Sequence, residues 1–271
     1  MEEVNVVRDF YENGAEVGRL EQGLGIVEAT RTNELLSRYV RPGMTVYDVG
    51  GGVGYYSDWL VGMGCDVTMF KLAPSAVEYA KEHCAHSFPV YAADARELPA
   101  ADASCDVVLL MGPLYHLLEK ESRMQALGET CRVLSPGGLL LAAGISKFSS
   151  TTWALSTYRA GNDFLDDEVY MDMLRGELVK GEHHRPAKYP NFIAQAYFHT
   201  PEGLVGELAE AGFQVEKLLA IEGCVWFTPG LNEKWEDLPA RERLLEILRL
   251  TEEEPSILGF SPHFLAVARK K

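Results

Sequence analysis

The sequence predicts an α/β fold: a doubly wound, mostly parallel sheet with helices on both faces. Three observations carry this. Between residues 44 and 146, strand-length apolar runs alternate with helix-length segments. One of those runs, "CDVVLLMG" (105–112), is apolar without a break from Val107 to Met111, as a strand buried on both faces requires. The first run ends in a glycine cluster, "DVGGGVG", that leads directly into a helix.

In chain order, residues 1–43 read as a helical N-terminal segment. "RTNELLSRYV" sets Leu35, Leu36, Tyr39 and Val40 on one helical face, and "RPG" (41–43) stops it. "MTVYDVG" (44–50) is the first strand and "YYSDWLVGMG" a short helix. "CDVTMFK" (65–71) is the second strand, and Pro74 opens the next helix, where Ala76, Val77, Ala80 and Cys84 fall at helical spacing. "FPVYAAD" (88–94), 105–112 and "LLLAAGIS" (139–146) are the third to fifth strands, with a helix and a Pro-Gly-Gly turn before the last. The rhythm then breaks. Residues 147–200, aromatic, polar and rich in His and Asp, read as an inserted helical cap. The core resumes over 201–271, with Thr200 as N-cap, Pro201 at the first helical position and Gly212 closing that helix. A strand (213–223), an amphipathic helix, "PARERLLEILRLTEEE", and a last strand, "PHFLAVARKK", follow. All four segments are expected to form one domain.

Composition narrows the function classes. With 25 basic against 40 acidic residues the formal net charge is −15, the wrong sign for a nonspecific nucleic-acid or anionic-membrane binder. No apolar run approaches the ~20 residues that span a bilayer. Cys65, Cys84, Cys105, Cys131 and Cys224 form no CxxC pair, so a zinc knuckle or redox dithiol is not expected, and a reducing cytoplasm suits free thiols.

The chemistry concentrates at the strand ends. Asp48, Gly50, Gly52 and Gly54 form D-x-G-x-G-x-G, where glycine lets backbone turn sharply and approach a ligand. A dinucleotide fingerprint would place its third glycine at 55, which is Tyr. With "AADARELP" (92–99), "DVVLLMGPLYHL" (106–117) and "RVLSPGGLLLAA" (132–143) in the same order, the sequence resembles the class I S-adenosylmethionine-dependent methyltransferases, most closely their bacterial small-molecule branch. The resemblance implies seven strands, one of them antiparallel, and S-adenosylmethionine as cofactor. It places Asp48 near the cofactor's ammonium and the glycines under its methionine part. Asp94, with Ala95 beside it, would meet the adenine amino group. Met111 and Gly112 would lie alongside, and Tyr11 would close over the site.

Lys71 departs from that pattern. It stands, followed by Leu72, where the family carries an acid that accepts both ribose hydroxyls, and a lysine has three donors and no acceptor. Three readings stay open: Lys71 points to solvent or pairs with an acid, it suits a cofactor with extra negative charge near the ribose, or cofactor binding is impaired.

For catalysis, in-line methyl transfer rests on positioning, and an acceptor with a proton to lose calls for a base. Tyr115 and His116 follow the fourth strand at the ligand end, and His199 closes the cap, so these three are the candidate catalytic residues. His183 and His184 also lie in the cap, with no HExxH or H-x3-H spacing, and no metal site is expected; His263 reads as structural. The chain is thus expected to be a cytoplasmic methyltransferase of a small molecule, a monomer or homodimer with neither nucleic acid nor membrane as partner. The alternatives are a degenerate, non-catalytic methyltransferase fold and an NAD(P)-dependent oxidoreductase.

Overall fold

The computed structural model describes residues 7–9, 12 and 16–271; Tyr11 lies outside them. A single turn of 3-10 helix, Arg19–Glu21, leads into α1 (Leu24–Tyr39). The core then alternates β1 (Thr45–Val49), α2 (Tyr55–Gly62), β2 (Asp66–Lys71), α3 (Pro74–His83), β3 (Val90–Ala92), β4 (Cys105–Leu110), α4 (Pro113–His116), α5 (Lys120–Val133) and β5 (Leu134–Ile145). Two elements differ in length from expectation. β3 is only three residues long, and β5 starts at Leu134, ahead of the Pro-Gly-Gly turn, because Leu134 pairs with Cys105 before the register shifts.

The seven-stranded sheet has the order β3-β2-β1-β4-β5-β9-β8, in which β8 is Phe213–Ala220 and β9 His263–Lys270. β9 runs antiparallel to both its neighbours, and the other pairings are parallel. The strand order reverses between β1 and β4, the place where a doubly wound sheet opens a crevice at its carboxyl edge. Buried apolar side chains cover both faces. Val49, Phe70, Leu110 and Leu140 pack with Leu204 and Phe264 on one side. Val46, Leu109 and Leu141 pack with Leu35, Leu36 and Leu60 on the other. That two-sided burial is why β4 and β5 read as unbroken apolar runs.

The segment expected as a helical cap holds α6 (Ser149–Thr157) and α7 (Glu168–Lys180), and adds a small antiparallel sheet of β6 (Glu182–His184) and β7 (Gln195–Tyr197). α8 (Pro201–Glu210) starts at Thr200, whose Oγ1 accepts a hydrogen bond from Gly203 N at 3.0 Å, and Gly212 follows with φ 91°. After β8 come α9 (Leu231–Glu236), α10 (Leu238–Thr251) and α11 (Pro255–Leu258) before β9. A buried polar cluster ties the cap to the core. Arg123 pairs with Glu207 at 2.7 Å, its guanidinium lies 3.7 Å over the Tyr197 ring, and His199 Nε2 lies 3.2 Å from Glu207.

Candidate functional site

One cavity opens at the carboxyl ends of β1, β2 and β4, bounded by the glycine loop, residues 16–21, α1 and the start of β9. The glycines divide their work. Gly50, at φ 85°, is packed so that a Cβ would sit 2.6 Å from Pro113 Cδ, and its N–H donates to Phe70 O at 2.8 Å. Gly52, at φ 59°, fronts the cavity, where a Cβ would meet only Glu16 Oε2, at 3.4 Å. Gly54, expected at the cofactor, does not line the cavity. It turns the chain into α2 at φ 93° with Cys84 Sγ 2.8 Å from where a Cβ would be, so its contribution is close loop-to-helix packing. Asp48 is buried beneath the loop and accepts from Ser57 Oγ at 2.7 Å. Burial pushes its carboxyl up to about 6, against the opposing pull of Ser57 and Lys71.

Residues 16–21 form a strap along the cavity beside this loop. Arg19 makes a two-pronged ion pair with Glu28 of α1, at 2.6 and 2.9 Å, and reaches Glu16 at 3.2 Å. Lys71 ends β2 in the cavity wall beside Leu72. Only 6% of it is exposed, so the reading that pointed it to solvent is corrected: the parallel pairing of β2 between β1 and β3 turns it inward. Burial lowers its pKa, while Glu16 and Asp48 act to raise it. Asp94 and Ala95 line the far wall. The Asp94 carboxylate accepts from Arg96, at 2.8 Å from Nη2 and 2.9 Å from the backbone N–H. Those bonds leave it lone pairs for a ligand amino group.

Of the three candidate catalytic residues, two reach the cavity. Tyr115 lines it, and its hydroxyl donates to Met111 O at 3.1 Å. His116 lines it with Nδ1 3.4 Å from Gln195 O. Burial, and then Lys71, push its pKa down to about 3, so it is a neutral imidazole with little appetite for a proton. His199 is not brought to the cavity; its place two residues past β7 buries it against Glu207. Nor is His183, which is buried with Nδ1 2.6 Å from Glu177.

The residue that sequence reasoning set aside is His263. It lines the cavity, with Nδ1 2.7 Å from Glu222 Oε1 and its ring 6.4 Å from that of Tyr115. Topology held the clue. In an antiparallel strand the first residue, not the last, falls at the ligand end of the sheet, so a histidine opening β9 sits there by construction. Glu28, Glu222 and His263 bring ligand-type atoms within 4.8 Å of one another. Each carboxylate is already matched to a cation, Glu28 to Arg19 and Glu222 to His263, so the trio is a closed ion-pair network. Burial works against charge on His263, but Glu222 and Glu28 outweigh it and raise its pKa to about 9. Burial likewise opposes charge on Glu28, where His263 and Arg19 prevail and lower the pKa.

The donor set fits an adenosyl sulfonium ligand at its methionine end, where the bare backbone of Gly52 fronts the cavity. At the ribose position Lys71 offers donors only. Residues 47–142 match the family model described as a methyltransferase domain. Among curated proteins, a ubiquinone/menaquinone biosynthesis C-methyltransferase (UbiE) of Laribacter hongkongensis is 37% identical over 114 residues, 40% of this chain and 46% of that protein. A ubiquinone biosynthesis O-methyltransferase of Xanthomonas campestris is 29% identical over 177 residues, 64% of this chain and 66% of its own. The matches to the first four curated relatives span about half of their length or less, from 51% down to 21%. A solved SAM-dependent methyltransferase of Methanosarcina mazei superposes with TM-score 0.59 at 18% identity, over 87% of this chain and 96% of that one. Family model, relatives and fold agree: residues 47–142 carry a methyltransferase domain, and the fold around them is that of solved SAM-dependent methyltransferases.

Proposed function

We propose that the protein methylates a small-molecule acceptor enclosed between the glycine loop, the strap 16–21 and the start of β9. The observation that carries this is the continuity of one cavity from Gly52 and Asp94 to Tyr56, Tyr115 and His263. A half bounded by the glycine loop thus adjoins an inner half lined by aromatic rings and by buried charge. Two relatives bear names of quinone-pathway methyltransferases, and an aromatic-walled inner half suits a flat, ring-containing acceptor of that kind.

In this reading Gly50, Gly52, Asp48, Lys71, Leu72, Asp94, Ala95 and Met111 hold the cofactor. Bound there, it supplies an electrophilic methyl group on a sulfonium. Tyr115 shapes the passage between the halves, its hydroxyl tied back to Met111 O. His116, kept neutral by burial, forms part of the wall against which the acceptor molecule packs. The strap excludes water by pairing Arg19 with Glu28 along the cavity. A cytoplasmic setting matches the free cysteines, and no described helix is long and apolar enough to cross a membrane.

Calorimetric titration with S-adenosylmethionine and, separately, with NADPH tests the reading. Binding of the first alone is expected, followed by methyl transfer to hydroxylated aromatic acceptors. Binding of NADPH alone favours the oxidoreductase, and binding without transfer to any acceptor favours a non-catalytic fold.

A further inference from the structure

The inner half of the cavity contains a histidine–carboxylate pair that no step so far uses. Glu222, just past β8, is fully buried, and both its oxygens engage His263: Oε1 meets Nδ1 at 2.7 Å and Oε2 the backbone N–H at 2.9 Å. Ser261 Oγ steadies the same carboxylate from 3.3 Å. This fixes the imidazole's orientation and tautomer, with the proton on Nδ1. His263 lines the cavity and Glu222 holds its Nδ1, so Nε2 is the ring nitrogen left to a ligand.

We propose that His263, braced by Glu222, accepts the proton of a hydroxyl-bearing methyl acceptor at Nε2. This rests on the methyltransferase reading above. The acceptor's O–H bond breaks with its proton going to Nε2, and the electron pair left on oxygen would form the O–CH3 bond as the sulfonium's S–CH3 bond breaks, the pair from that bond leaving on the neutral thioether. His263 then holds the proton as an imidazolium that Glu222 stabilises. His116 cannot take this role, because its burial keeps it neutral and weakly basic.

The charged and titratable groups facing His263 are Glu222 beyond β8, Glu28 of α1, Arg19 of the strap and Tyr115 of α4. The two carboxylates keep the imidazole protonated in the free protein, which alone would make it a poor base near neutral pH. A ligand carrying a sulfonium adds a positive charge to the same low-dielectric cavity and disfavours the imidazolium. Cofactor binding should therefore expel the proton from Nε2 and ready it for the acceptor's.

The test is proton release on binding, measured from the calorimetric enthalpy of S-adenosylmethionine binding at pH 8 in Tris and in phosphate. The expectation for the wild-type chain is release on the order of half a proton or more per cofactor. S-adenosylhomocysteine, whose sulfur is uncharged, should release several-fold less. His263→Gln should bind S-adenosylmethionine within about threefold of wild type yet release almost no proton. Glu222→Gln, a second variant should the first not fold, should lower the pH at which the methyl-transfer rate reaches half its plateau by about one pH unit or more. Equal proton release in wild type and His263→Gln, or an unmoved pH profile in Glu222→Gln, overturns the proposal. Failure of S-adenosylmethionine to bind the wild-type chain overturns instead the reading on which it rests.

Discussion

Replacing Gly50 and Gly52 by alanine, one at a time, separates structural from ligand-facing roles within one loop. Both have positive φ, at 85° and 59°, so either substitution carries a left-handed backbone penalty of about 1–2 kcal/mol. Beyond that the two differ. A Cβ at 50 lands 2.6 Å from Pro113 Cδ and 2.8 Å from Cγ, atoms of a rigid ring opening α4, so overpacking adds roughly 1–3 kcal/mol. A Cβ at 52 lands 3.4 Å from a Glu16 carboxylate oxygen, the far end of a flexible side chain. The expected stability losses are about 2–5 kcal/mol for Gly50→Ala and about 1–2 kcal/mol for Gly52→Ala. At about 2–4 °C per kcal/mol, Gly52→Ala should melt roughly 2–8 °C below wild type and remain folded at 25 °C. Its deficit should appear in binding instead. A methyl group on the cavity side of backbone that the cofactor must approach should weaken S-adenosylmethionine by tenfold or more, about 1.4 kcal/mol. Thermal unfolding and isothermal calorimetry on the same two proteins measure both quantities. Unchanged affinity in a folded Gly52→Ala would refute the assignment of this loop to the cofactor. A larger stability loss at 52 than at 50 would refute the packing argument.

Two pH-linked outcomes follow from the buried titrating groups. His116 has a folded pKa near 3 against an ordinary value of 6.5, so it contributes stability that is present above pH 6.5 and is lost as pH falls toward 3. His116→Gln should therefore lose less stability than wild type between pH 7 and 5, by about 1–2 kcal/mol in urea unfolding, and parallel curves would disprove the neutral buried imidazole. Asp48 is shifted the other way, up to about 6 from 3.8, so its favourable contribution is full below pH 3.8 and is lost as pH rises through about 6. Asp48→Asn should raise stability at pH 8 by up to about 3 kcal/mol and change little at pH 4, and equal shifts at the two pH values would show that the carboxyl ionises freely.

What was legible in the sequence was whatever depends on neighbours in the chain. Apolar runs such as 105–112 and the glycines after Val49 announce a two-sided parallel sheet and a tight βα turn because their causes are local. Thr200 capped its helix for the same reason. The strap escaped notice because Arg19 has meaning only through Glu28 across the turn into α1, and "GRLEQG" looks like any polar connector. The small sheet of the cap escaped it because β6 and β7 are three residues each, too short for an alternating pattern to show. Lys71 was visible as an oddity, but its burial follows from the sheet and not from "VTMFK". His263 was passed over because its partner, Glu222, lies 41 residues upstream and meets it only through the antiparallel pairing of β8 with β9.

That pairing also sets an order of assembly during synthesis. β9 is wedged between β5 and β8, yet it is translated after every other strand of the sheet. A nascent chain with residues up to about 145 outside the ribosome already owns β1 to β5, the glycine loop and Asp94 in contiguous sequence, and can close that half as a unit. Through the following hundred residues the outer edge of β5 stays unpaired, an apolar strand edge of the kind that recruits other chains. Only when residues 263–270 emerge can Leu139–Ile145 find its partner, β8 join the sheet, and Glu222 meet His263. The half that holds the donor is thus ready early. The half that receives the acceptor comes into being in the same event that seals the exposed edge, so a chain stalled short of β9 would be at once inactive and prone to aggregate.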